Sequence, residues 1–233
     1  MLFPERAIHA FHERARDQGA VFRWNSPVLR WSSRGDGPIR VSTSKRDYLA
    51  GSVVFSAGAW LPTLVPELPL PLTVEQQSVF WFRARDRRRP VYRDMPAFVW
   101  YRSGDDYFYG TPDVGEGVKI GGSQGQLLRR LGHPPASSPR ELQLIRRFAR
   151  ERLPGISLKP VRRTRCLYTN TPDKNFIVDR HPDFPNVLIV SACSGHGFKF
   201  ASAIGELVAQ AATTGAIPSL LAPFRFNPDR GDP

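Results

Sequence analysis

Between an apolar stretch at Asn186 to Ala192 and a run of helical periodicity lies Ser194-Gly-His-Gly-Phe-Lys-Phe. This glycine-rich connection takes the chain from a strand straight into a helix, because glycine reaches backbone conformations closed to other residues. The helix is expected over Gly197 to Thr214, closed by Gly215, with Pro218 as a stop. Lys199 falls in its first turn. Unpaired N–H groups and the helix dipole make a cation there unfavourable by roughly 0.3–1 kcal/mol. Its presence points to an anion nearby that more than compensates; the alternative is a side chain that extends to solvent. Cys193, just before the turn, reads as core.

The chain has 233 residues, enough for a sizeable core and one or two domains. At 41% hydrophobic it reads as globular rather than disordered. No apolar run reaches the roughly 20 residues of a membrane helix, and Met-Leu-Phe-Pro-Glu-Arg lacks the apolar stretch of a signal peptide. Two cysteines, Cys166 and Cys193, are too few for a secreted disulfide scaffold, so a cytoplasmic home is expected. The net charge of +12 raises the question of nucleic acid. The arginines, however, form short scattered clusters (Arg87 to Arg89, Arg146-Arg147, Arg162-Arg163) with no recognition-helix or aromatic RNA-binding pattern. No nucleic acid, membrane or metal is expected, although a basic surface draws in acidic small molecules.

The spacing predicts a helix from Pro4 to Asp17, with Ala7, Ile8, Phe11 and Ala15 on one stripe. Short strands follow at Ala20 to Trp24, Val28 to Trp31 and Ile39 to Thr43, the last two joined by Ser-Arg-Gly-Asp-Gly-Pro. Ser52-Val-Val-Phe-Ser-Ala-Gly-Ala-Trp reads as a buried strand whose small C-terminal residues let a ligand approach. From Thr73 the segments become short, aromatic and β-branched: Ser78 to Arg83, Ala97 to Arg102, Asp106 to Gly110 and Gly117 to Gly121. These predict an antiparallel sheet. A helix from Pro139 to Arg152 follows, capped by Ser138, with Leu142, Ile145, Phe148 and Ala149 inward. The tail after Ala222 is expected to be poorly ordered.

One further segment carries chemistry, Cys166-Leu-Tyr-Thr-Asn-Thr-Pro-Asp. Together with the Ser194 turn it resembles the C-terminal portion of the monomeric sarcosine oxidase and N-methyltryptophan oxidase family of flavoenzymes. The resemblance implies an α+β protein: residues 1–72 and 161–233 form an FAD-binding domain of α/β type, and residues 73–160 an antiparallel-sheet substrate domain. It implies FAD linked covalently through Cys166, where the residues alone equally allow an inert buried thiol. Gly58, Ala59 and Trp60, with Gly195, His196, Gly197 and Phe198, are then cofactor contacts. Lys199 and Tyr168 bind substrate, Lys199 by a charge-assisted bond to its carboxylate. Lys119 sits between Val118 and Ile120, so its side chain points to the opposite face. On residues alone it could be a lysine on a wet sheet face; by resemblance it promotes the reaction with oxygen. Tyr109 matches an active-site tyrosine, packing of a sheet face being the alternative. The implied partners are a secondary amine and oxygen, and the implied reaction is oxidation of its C–N bond with release of peroxide. The family's oxidases can carry a histidine four residues after the lysine; here that position is Ser123, so substrate preference or rate is expected to differ.

A dinucleotide-binding fold announces itself with G-x-G-x-x-G between strand and helix, and no such motif occurs. Gly115-Glu-Gly-Val-Lys-Ile-Gly has the wrong spacing and runs into a strand. In the family the fingerprint lies upstream of the point where this sequence begins to align. The resemblance therefore implies an N-terminally truncated cofactor domain, exposed strand edges, poor solubility and no turnover by this chain alone. The alternatives are a remnant without flavin and a basic interaction module.

Overall fold

The computed structural model describes residues 2–35, 37–86, 91–104, 106–132 and 139–227. Asp36, Arg87 to Arg89 and Ser138 (the expected cap) lie outside the described residues. The chain divides into two compact units, residues 1–73 with 169–233, and residues 74–168. Its return to the first unit falls later than the expected residue 161, because one long strand carries the second unit's sheet onward to Tyr168.

The first unit opens with helix α1 (Pro4–Asp17), entered through Pro4, whose fixed φ suits the first turn. Its apolar stripe is exposed rather than buried: Ile8 is 42% and Phe11 50% accessible. The expected strand at Ala20 to Trp24 does not form. Phe22 instead stacks on Trp24 with centroids 5.6 Å apart, and Asn25, at φ 51°, turns the chain away. Strands β1 (Val28–Ser32), β2 (Ile39–Thr43) and β3 (Asp47–Ala50) make an antiparallel meander in that order. The expected long strand from Ser52 shrinks to β4 (Val53–Phe55), because Gly58, at φ 52°, begins a 3-10 turn over Gly58–Trp60 that leads into the short helix α2 (Leu61–Leu64).

The second unit is built on strand β5 (Thr73–Ala84). After it come helix α3 (Val91–Asp94), strands β6 (Phe98–Ser103), β7 (Asp106–Thr111), β8 (Val118–Gly122) and β9 (Gln126–Leu127), helix α4 (Pro139–Arg152) and strand β10 (Ile156–Asn170). The sheet runs β10-β5-β8-β7-β6, with β9 also pairing β5. Val118-Lys-Ile is a strand, so the glycine segment before it opens no helix. One face buries Phe80, Phe82, Phe108, Val118 and Ile120 under Ile145, Phe148 and Ala149 of α4. Within that contact the Ser78 hydroxyl donates to the buried Glu141 carboxylate at 2.7 Å.

The chain then returns to the first unit as β11 (Ile177–Arg180) and β12 (Val187–Ser191), and β12 pairs in parallel with β4. All five residues of β12 are buried. Val187 and Ile189 face a core with Ile39, Phe55, Leu61 and Val65, whereas Leu188 and Val190 face another with Phe176, Val208, Ala211 and Leu221. Helix α5 (Ala201–Thr214) follows a 3-10 turn at Gly197–Phe200 and ends on Gly215 at φ 80°. Lys199 therefore precedes the α-helix proper. Contrary to expectation, the segment after Ala222 is held as far as the description reaches. Phe226 N–H donates to the Asp179 carboxylate at 3.1 Å, and Leu221 is fully buried.

Two glycines of this return respond oppositely to a methyl group. A Cβ on Gly197 would overlap the Ala192 carbonyl oxygen, whereas one on Gly205, within α5, meets nothing within 4 Å. Gly197→Ala should cost about 3 kcal/mol of stability, read as a lower urea midpoint. Gly205→Ala should add about 0.5–1 kcal/mol, read as a higher one.

Candidate functional site

In the second unit Lys119, Tyr109, Tyr168 and Cys166, singled out in the sequence, share the sheet face opposite α4. Alternation along β8 sends Val118 and Ile120 to the core and Lys119 and Gly121 to the other side. The register pairs Tyr109 with Gly121 and Thr111 with Lys119. Gly121 is required there because a Cβ would overlap the Tyr109 ring, which lies across it. Tyr109 and Tyr168 meet hydroxyl to hydroxyl at 3.3 Å. Cys166, two residues before Tyr168 on β10, shares its face and has an exposed thiol. Arg165 points the other way. At the end of β8, Ser123 donates to the Asp106 carboxylate at 3.3 Å and accepts from Tyr107 N–H at 3.2 Å.

Burial pushes the Tyr109 hydroxyl far above its ordinary range, and negative charge on Tyr168 or Cys166 would push it further. Tyr168 is raised for the same first reason, partly offset by its bond to Tyr109. Both hydroxyls therefore stay protonated at neutral pH and serve as neutral donors.

In the first unit the Ser194 turn is a closed hydrogen-bonded knot. Ser194 is buried at φ 46°, a left-handed conformation, and Gly195 continues it at φ 76°. Ser194 N–H donates to Thr169 O at 2.9 Å, its hydroxyl donates to Asn175 O at 2.7 Å, and Thr171 N–H donates to that hydroxyl at 3.3 Å. His196 Nε2 donates to Lys174 O at 2.8 Å while the ring stacks on Phe176. Gly197 is buried, Phe198 and Lys199 are exposed, and the Lys199 ammonium lies 5.0 Å from the Phe200 ring centroid. Cys193 is half-buried, with burial raising its thiol pKa. In the other 3-10 turn Gly58 is left-handed, Ala59 buried and Trp60 exposed.

The sequence reading left out Ser194 as the hub of the turn and Trp81 beside Lys119. A serine ahead of Gly-His-Gly signals the first, and a tryptophan between two core phenylalanines signals the second. Among the described residues no group of three His, Cys, Asp or Glu side chains could hold a metal ion, and no helix is long and apolar enough to cross a membrane.

The donor set fits a flavin. An accessible thiol, neutral phenols and a lysine suit a planar ring that gains negative charge on reduction. The Asn170 Oδ1 and Ser191 Oγ atoms, which flank the knot in sequence, are buried and have no hydrogen-bond partner among the described residues. Comparison with known proteins gives the same direction. The family model for FAD dependent oxidoreductases (DAO) matches residues 1–211, and the chain belongs to this family. It is 32% identical to the monomeric sarcosine oxidase of Streptomyces avermitilis over 91% of this chain and 56% of that protein. It is 37% identical to the N-methyl-L-tryptophan oxidase of Citrobacter koseri over 96% of this chain and 59% of that protein. The chain thus spans under two thirds of the length of these relatives. Among solved structures, NikD, an unusual amino acid oxidase essential for nikkomycin biosynthesis, shares the fold with a TM-score of 0.78 at 21% identity, over 93% of this chain and 58% of that one.

The buried tyrosines make stability depend on alkaline pH. Tyrosine ionises near pH 10 in an unfolded chain, whereas Tyr109 and Tyr168 hold their protons in the fold. Above about pH 10 the unfolded state loses protons first, so stability falls as pH rises. Urea midpoints between pH 9 and 11.5 should drop in the wild type and drop less steeply in Tyr109→Phe.

Proposed function

We propose that this chain supplies the substrate-facing sheet and the flavin-facing turns of an FAD-dependent oxidase. The reaction is oxidation of the C–N bond of a secondary amino acid such as sarcosine, with oxygen as acceptor. The observation that carries this reading is the gathering of Cys166, Tyr168, Tyr109 and Lys119 on one face of the sheet, away from the core.

FAD, when bound, would supply the two-electron acceptor and its reoxidation by oxygen to give peroxide. Cys166 is the residue that would hold the ring through its sulfur, a C–S bond replacing a C–H bond of the ring, with the two electrons released going to oxygen. The backbone of Gly195 to Phe198 and the turn at Gly58, Ala59 and Trp60 are the segments that would receive the cofactor. His196, fixed by its Nε2–H bond to a carbonyl and its stack on Phe176, orients the turn. Lys199 binds the substrate carboxylate through a charge-assisted hydrogen bond. Tyr109 and Tyr168 offer hydroxyl protons to the substrate without ionising. Lys119 places a fixed positive charge where negative charge builds up as oxygen is reduced. Ser123, engaged by Asp106, leaves space and polarity beside these groups that shape the choice among secondary amines. The two cysteines and this chemistry suit the cytoplasm.

The test is the visible spectrum of the chain purified after expression with ample flavin, before and after acid precipitation. Wild type should carry the flavin band near about 450 nm into the pellet, and Cys166→Ser should release it to the supernatant. A wild-type pellet without flavin overturns the attachment. Flavin retained in the pellet by Cys166→Ser moves it to another residue.

A further inference from the structure

Trp81 stands midway along β5 between Phe80 and Phe82, both fully buried in the core under α4. Alternation sends its indole to the opposite face, where it is paired across the sheet with Lys119. The Lys119 ammonium lies 5.7 Å from the indole centroid, and the Arg162 guanidinium, from β10 on the other side, lies 4.7 Å from it. Arg162 is itself held by Glu116 at 2.9 Å. The loop bearing Glu116 is fixed in turn: the Asp113 carboxylate accepts the N–H groups of Gly115 and Gly117, each at 2.8 Å. Gly117, at φ 105°, lets this loop approach β5 so closely that a Cβ would come within 2.8 Å of Phe82 O.

Two like charges share one ring. The negative face of an indole attracts each of them, more strongly than the face of a phenylalanine. A lysine carries its charge on a flexible four-carbon stem, so a ring beside it fixes where that charge resides. We propose that Trp81 is the positioning residue for Lys119, holding its ammonium in one place on the sheet face despite Arg162 nearby. The inference rests on the reading of Lys119 as the site's cation. The other charged or titratable groups on this face are Glu116, which is paired with Arg162, Arg83 two residues along β5, and Tyr107, Tyr109, Tyr168 and Cys166 on β7 and β10.

The experiment is two-dimensional proton–carbon NMR of the purified chain labelled only at its lysines, with Lys45 and Lys159 as references and the Lys119 signal assigned from Lys119→Met. An ammonium held over an indole face puts its neighbouring Cε protons under the ring current. Wild type should show a Lys119 Cε signal displaced upfield of the reference lysines. In Trp81→Leu that displacement should be lost, with the references unchanged. Trp81→Phe, which keeps a weaker ring, should shrink it, and this variant stands alone if the leucine variant does not fold. A wild-type Lys119 signal coincident with the references overturns the proposal. So does a signal unmoved in both variants. None of these readouts needs flavin. If Lys119→Met left the oxygen reactivity of flavin-loaded protein intact, the catalytic reading of Lys119 would fail while the shift caused by Trp81 stood.

Discussion

The burial of one face of the second unit's sheet against α4 decides where its chemistry sits. Phe80, Phe82, Phe108, Val118 and Ile120 are drawn to that face, each worth roughly 1.5–3 kcal/mol on burial. Side chains on a strand alternate, so the same force delivers Trp81, Tyr109, Lys119 and Gly121 to the opposite side. A register slip of one residue in β8 would drive Lys119 into the core and bring Val118 and Ile120 out, a change the hydrophobic term forbids. The reactive face thus needs no strong interactions of its own to be well placed.

The first unit solves a different problem. Its turn after β12 asks a serine to adopt a left-handed backbone, which costs a non-glycine residue roughly 1–2 kcal/mol. Ser194 offsets that cost through its backbone and hydroxyl bonds to Thr169, Asn175 and Thr171. The segment following Cys166 and the segment following β12 are thereby tied together inside one unit. Within this unit, the segment from Thr169 to Asn175 and the turn after β12 are neighbours because Ser194 N–H bonds the Thr169 carbonyl directly. The stack of His196 on Phe176 extends the same tie to β11.

Where local signals agreed with burial, the elements were legible. Helix α4 and strands β7 and β12 follow from spacing, and the left-handed stop at Gly215 follows from glycine; α1 and β6 follow from spacing although no residue of either is buried. The failures have particular causes. Ala20 to Trp24 has the composition of a strand, but composition does not provide a partner, and its aromatic rings stack on one another instead. Phe55 ends β4 because Gly58 turns the chain, whereas an apolar run read alone continues through it. Strand β10 was obscured by Arg162, Arg163 and Arg165, which fall on both of its faces and break any hydrophobic alternation. Of the site, the cysteine, lysine and tyrosine positions stood out by resemblance. The cation pair around Trp81 did not, because it depends on strand order, which places β8 and β10 on either side of β5.

The contact between Tyr109 and Gly121 carries a consequence for descent. The ring occupies the space that any side chain at position 121 would need. A lineage that acquires a larger residue at 121 must first lose or reorient the tyrosine, and one that keeps the tyrosine is bound to glycine. Across homologues, a tyrosine at 109 should therefore always be accompanied by glycine at 121, whereas glycine can outlast the tyrosine. A gene with a larger residue at 121 marks a protein in which no ring lies across this strand.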